Sequence, residues 1–111
     1  MATAYKILGQ ARPLDTNNAD LITVPASKAQ VISTLTVTNT TASAATYRVF
    51  ARITGATAAE GNALAYDVAI AANDTVALTL GCTLATTDKL TIRSSLASGL
   101  TFTAFGSELD A

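Results

Sequence analysis

Few side chains in this 111-residue sequence could carry covalent chemistry. It contains no histidine, which rules out Ser-His-Asp and Cys-His nucleophiles and histidine-ligated metals. Cys82 is the one cysteine, so no intrachain disulfide can form. A thiol becomes a nucleophile beside a base or a cation that lowers its pKa. The sequence sets neither next to Cys82, which reads as a structural residue at a strand end. Glycoside hydrolysis needs two carboxyls roughly 5–9.5 Å apart across a cleft. Asp67, Asp74 and Asp88 fall instead in turns or on an outward strand face, without an aromatic sugar platform. Asp15-x-Asn17-Asn18-x-Asp20 offers oxygen ligands but lacks the spacing, turn glycine and final glutamate of a calcium loop, and reads as an Asx-rich turn. Asn39-Thr40-Thr41 and Asn73-Asp74-Thr75 match the glycosylation tripeptide, which matters only in a secreted eukaryotic protein. No catalytic, cofactor-binding or metal-ligating residue is assigned. The chain reads as a non-enzyme with no cofactor and no small-molecule substrate.

The residues that could recognise a partner are different ones. Arg48, Phe50 and Arg52 alternate along one strand, so their side chains share a face. Two guanidinium groups flanking an aromatic resemble an interface hot spot, where arginine and aromatics are enriched. The bland alternative is a solvated strand with Phe50 tucked under a loop. Phe105, outward on the last strand, is the fourth candidate interface residue.

These residues need a rigid β framework, and the chain supplies period-two alternation throughout. Strands are expected over Tyr5–Gln10, Asp20–Val24, Ala29–Asn39, Thr46–Thr54, Ala63–Ile70, Thr75–Leu80, Lys89–Arg93 and from Leu100 to Phe105. Pro13 and Pro25 stop the first two, since proline cannot donate to a ladder. Asn73-Asp74 turns the chain before Thr75, and Gly81 closes that strand. The stretch holding Val76, Leu78, Leu80, Leu90 and Ile92 is expected to be the one against which the rest packs. In Ala29–Asn39, Leu35 and Val37 point to the core and Thr34, Thr36 and Thr38 away; Ile32 breaks that split, as if both faces were buried there. Tyr47, Val49, Ala51 and Ile53 share an inward face, and this strand pairs with the preceding one. Leu64, Tyr66, Val68 and Ile70 are inward with Asp67 outward. Gly55–Gly61 is an exposed loop tip, and Gly106–Ala111 a short tail. About eight strands without helical periodicity predict an all-β, single-domain (1–111) antiparallel β-sandwich, Greek-key or jelly-roll-like.

Composition narrows the function classes. A chain this long buries roughly 60–70% of its unfolded surface, enough for one two-layer core. Charged residues are 14% and the net charge is −1, so no basic stripe exists for nucleic acid. No run of about 18 apolar residues predicts a membrane helix. The opening Met1–Lys6 lacks the order of a signal peptide, which predicts an intracellular origin. A weakly charged, Thr-rich surface suits close packing against copies of itself or a scaffold.

The opening MATAYKILGQ, the central IAANDTVALTLGCTLATTDKLTI and the closing FTAFGSEL resemble small virion proteins of tailed bacteriophages, notably those of cyanobacteria, across nearly the whole chain. The resemblance implies a small β-sandwich in the virion, assembled in the host cytoplasm, of the capsid cement or decoration type. Its implied partners are the major capsid protein and copies of itself, as a trimer or dimer. Met1–Tyr5 and Ser107–Ala111 would serve as arms. A neck, tail or fibre-associated protein is the alternative within that class; a carbohydrate- or receptor-binding sandwich is the alternative outside it.

Overall fold

The computed structural model describes residues 3–111. Its strands are β1 (Thr3–Ala11), β2 (Ala19–Thr23), β3 (Lys28–Asn39), β4 (Ala45–Arg52), β5 (Ala63–Ile70), β6 (Thr75–Leu84), β7 (Lys89–Ser94) and β8 (Leu100–Asp110). They form two antiparallel four-stranded sheets, ordered β1-β8-β3-β6 and β2-β7-β4-β5. Only β4 and β5 are both consecutive and hydrogen-bonded; the other connections pass from one sheet to the other. This is the jelly-roll order, in which two Greek keys wrap into a sandwich.

The core between the sheets is made by one face of each strand. Ile22, Ile32, Leu35, Val37, Tyr47, Val49, Leu90, Ile92, Leu100, Phe102 and Ala104 are buried together. Tyr47 meets Phe102 edge to face, with ring centroids 6.4 Å apart. Such a pair adds to the stabilisation from buried area alone, because the ring edge is positive and the ring face negative. On the far face of the first sheet the threonines form the expected ladder, Thr34 opposite Thr79 and Thr36 opposite Thr103.

Several expectations are corrected by bulges and topology. β3 pairs with β6 and β8, not with β4. The Thr75–Leu80 strand lies at a sheet edge rather than at the centre, and it runs on to Leu84. Gly81, at φ +58°, is a bulge inside it. An L side chain is strained there and glycine is not. Ile32 does not signal burial on both faces. A register shift between Ile32 and Thr34 changes the phase of β3, which turns Ile32 to the same core as Leu35. A matching shift lies between Ile7 and Gly9 of β1. The first sheet is therefore creased along one transverse line. β8 crosses that line at Gly106, where an added Cβ would sit 1.8 Å from the carbonyl oxygen of Val31.

β5 carries two further bulges against β4, and Asp67 sits at φ +52°. Ile70 is buried as expected, but Leu64, Tyr66 and Val68 are 46%, 42% and 39% exposed. Ile53 leaves the sheet for a 3-10 turn and is exposed. The ends are not arms. Thr3, Ala4 and Tyr5 pair with Leu109, Glu108 and Ser107, and β8 runs to Asp110. Met1 and Ala2 lie outside the described residues.

Candidate functional site

The outer face of the second sheet gathers most of the polar chemistry. Arg48 of β4 stands directly opposite Arg93 of β7, an arrangement that costs energy when like charges meet unscreened. Asp67 relieves it from the β5 bulge. Its carboxylate accepts from Arg48 Nε at 2.6 Å and Nη2 at 3.1 Å, a forked pairing that fits planar guanidinium to planar carboxylate. The same guanidinium lies 4.0 Å from the centroid of the Tyr66 ring. The Arg48 hydrogen bond outweighs the partial desolvation and holds the Asp67 carboxyl below its ordinary value, with Arg93 adding to the effect. Between the two arginines is an open polar cavity of about 260 Å3, lined by Thr16, Thr46, Arg48, Asp67, Arg93 and Ser95 among others.

Phe50 lies on the Arg48 side of β4 but is withdrawn from the surface. It is 2% exposed and meets Tyr66 edge to face at 6.3 Å. The expectation of an exposed aromatic between two arginines is corrected: the β5 bulges lay Tyr66 over it. Arg52 is a strut. It donates to the carbonyls of Gly55 and Ala56 and, through Nη1, to Asp20 Oδ1 at 3.0 Å and the Thr91 hydroxyl at 3.2 Å. Lys89 Nζ reaches the other Asp20 oxygen at 3.0 Å. Burial alone would raise the Asp20 carboxyl, but Thr91, Lys89 and Arg52 together pull it below its ordinary value.

Phe105 is exposed as expected, on the outer face of the first sheet. It is opposite Ile7, while Tyr5 and Val31 are both opposite Ser107. Tyr5, Val31 and Phe105 border a shallow, mostly apolar groove of about 410 Å3 at the creased corner. Tyr5 is 87% exposed. A third depression, about 370 Å3, opens at the β5–β6 side between Ile53, Leu64, Cys82, Leu84 and Asp88. Burial first, and the Asp88 charge second, push the Cys82 thiol up, which disfavours the thiolate. Asp88 is a lock rather than an acid on a surface: it accepts from the amides of Thr54 and Ala85. Asp74 caps the amide of Thr75, and Asp15 that of Asn17, as an Asx turn should.

Reasoning from sequence brought Arg48, Phe50 and Arg52 to one strand face and missed Arg93 and Asp67 beside them. No local signal could have found that pairing, since it depends on which strands are neighbours. The Tyr5–Ile7 spacing did hold a usable signal, two large apolar residues on one face of an edge strand.

No protein-family model matches the chain, and no curated protein matches it. Among solved structures it is similar to a chain of "Structure of infectious bursal disease virus Gx strain", with a TM-score of 0.52 and 13% identity. The likeness covers 96% of this chain and 31% of that one, so this chain spans about a third of that chain's length. At that identity the likeness concerns the fold. Strand order and likeness together define an all-β jelly-roll sandwich.

Proposed function

We propose that this protein is a structural component of a virion, a cement or decoration protein of a tailed bacteriophage that bridges major capsid subunits. The observation that carries the proposal is the jelly-roll sandwich, a fold similar to that of a chain from a virus structure. Jelly rolls recur in viral capsids, in lectins and in cupins, and a chain without histidine is poorly suited to the metal chemistry of the last. The sequence resemblance at the start, middle and end of the chain supports the phage assignment. Mechanically, a cement protein adds buried area across joints strained by packaged DNA. Attachment through an oligomer converts weak single contacts into tight binding, because the second contact is made at high effective concentration. The apolar corner of Tyr5, Ile7, Val31 and Phe105 fits a contact with a capsid subunit.

Counting copies per purified particle by quantitative mass spectrometry tests the proposal. Hundreds of copies in a simple ratio to the major capsid protein are expected. A handful, in multiples of three, six or twelve, would move the protein to the neck or tail. Absence from the particle would overturn the virion reading.

A second reading, a carbohydrate-binding module, draws on exposed Tyr5 and Tyr66, since sugars stack on aromatic faces. A glycan array separates it from the first.

A further inference from the structure

We propose that the cavity between Arg48 and Arg93 is a binding site for a singly charged oxyanion, a carboxylate or a monoanionic phosphate. The inference goes beyond the virion reading and does not depend on it. Two arginines face each other across neighbouring interior strands, and Asp67 is the one carboxylate in the cavity lining; Glu60 is the smallest of the influences on Arg48, so positive charge remains in excess at the cavity. Asp67 is also already committed, since both its oxygens accept from Arg48. Arg93 donates through Nε to the Thr16 carbonyl at 2.8 Å, which fixes the plane of its guanidinium. Its two terminal nitrogens have no partner among the described residues, and neither has Nη1 of Arg48.

The remaining lining is rich in donors. Ser95 Oγ accepts from the Thr46 amide at 2.8 Å, so its own proton is available to a ligand. The hydroxyls of Thr16 and Thr46 have no partner among the described residues. A fork of paired N–H groups on a fixed plane is the geometry that carboxylate and phosphate oxygens fit. The volume of about 260 Å3 is that of roughly nine waters, so a small oxyanion enters without rearrangement. Its source is either a free anion or an acidic side chain presented by a neighbouring subunit; the two share this chemistry.

NMR titration of the intact protein at constant ionic strength tests the site, following the Arg93 Nε–H and the amides of Thr46 and Ser95. The probes are inorganic phosphate and N-acetyl-aspartate N-methylamide, with chloride as control. Saturable shifts confined to this cavity are expected with at least one probe. Arg93→Gln should weaken that binding at least tenfold, and Arg93→Lys should weaken it several-fold because the charge stays and the fork is lost. Arg12→Gln, at an exposed arginine elsewhere, should leave it unchanged. Tighter binding of the aspartate probe identifies a neighbour's side chain as the source, and tighter binding of phosphate a free anion. Shifts that never saturate, that chloride reproduces, or that persist in a folded Arg93→Gln variant would overturn the proposal.

Discussion

Asn39 shows how much one polar residue can hold in a sandwich this thin. It ends β3 and is almost wholly buried. Its amide nitrogen donates to the carbonyls of Ser43 at 2.8 Å and Ala71 at 3.2 Å. Its oxygen accepts from the Thr41 amide and hydroxyl at 3.0 and 2.7 Å. One side chain thus ties the β3–β4 loop to the β5–β6 loop. Asn39→Ala removes all four of these bonds from a buried position and strips the Ala71 carbonyl and the Thr41 amide of their Asn39 partner, and should cost about 1–3 kcal/mol, read as a lower urea midpoint with an unchanged slope. Nothing in the sequence marked Asn39 above the other asparagines; its value comes from two loops distant in the chain. Cys82 is the opposite case. Its structural reading was available from the absence of a neighbouring base, and the raised thiol pKa predicts slow alkylation at neutral pH. Reaction as fast as that of a free thiol would contradict this.

At the scale of elements, the bulges decide what was legible. Strand existence followed from alternation, and Leu35, Val37, Leu90, Ile92, Leu100 and Phe102 are in the core as their spacing required. Alternation fails wherever a residue is inserted, because one extra residue reverses every side chain beyond it. That is why Ile32 looked anomalous and why β5 was assigned the wrong exposed residues. Gly106→Ala tests the crease. A methyl cannot fit beside the Val31 carbonyl, and a loss of at least about 1–3 kcal/mol is expected, measured by thermal or urea unfolding. The edges make a second prediction. β1 carries Lys6, β2 is five residues long with Asp20, and β5 is broken at Asp67. These are the usual guards against strand-to-strand pairing. β6 has ten residues with neither a charge nor a proline, and its main guard is the Gly81 bulge. Self-association through β6 is therefore expected, and its neutrality suits a two-fold contact in which the same edge meets itself in reverse. Ala77→Lys with Thr79→Lys, both at exposed positions, should give a monomer in analytical ultracentrifugation where the native chain gives an oligomer. A native monomer, or an unchanged oligomer in the variant, would refute it.

For the molecule as a whole, strand order was beyond reach of local pattern. Nearly every connection crosses between sheets, so neighbours in sequence are rarely neighbours in a ladder. The candidate site suffered the same loss, with Arg48 and Arg52 readable and Arg93 and Asp67 not. The charge network does yield a global prediction. Asp20, Asp67 and Glu108 are held below their ordinary values, so their contribution is complete above those values and fades as pH falls through the lower folded ones. Lys28, hydrogen-bonded to Asp110, and Arg48, hydrogen-bonded to Asp67, are raised, so theirs is complete below the ordinary values and is lost at high pH. Burial also raises the Cys82 thiol and the Tyr47 phenol, and the thiol is the first of the raised groups to titrate, so stability should be flat between about pH 5 and 8 and fall on both sides, as checked by thermal midpoints across pH. A decline beginning near pH 7 would mean that other groups govern it.

The pairing of Thr3 with Leu109 sets how this protein would bear a load. Both described ends of the chain sit at the same end of the β1–β8 ladder. A pull that separates those ends would peel the ladder like a zip, one rung breaking after another at low force. A pull along the strands, entering through the β6 edge or the corner of Tyr5 and Phe105, would shear many rungs together. A tether at the termini would therefore be a weak link, and a grip on the sides of the sandwich a strong one, a difference that optical tweezers can read directly.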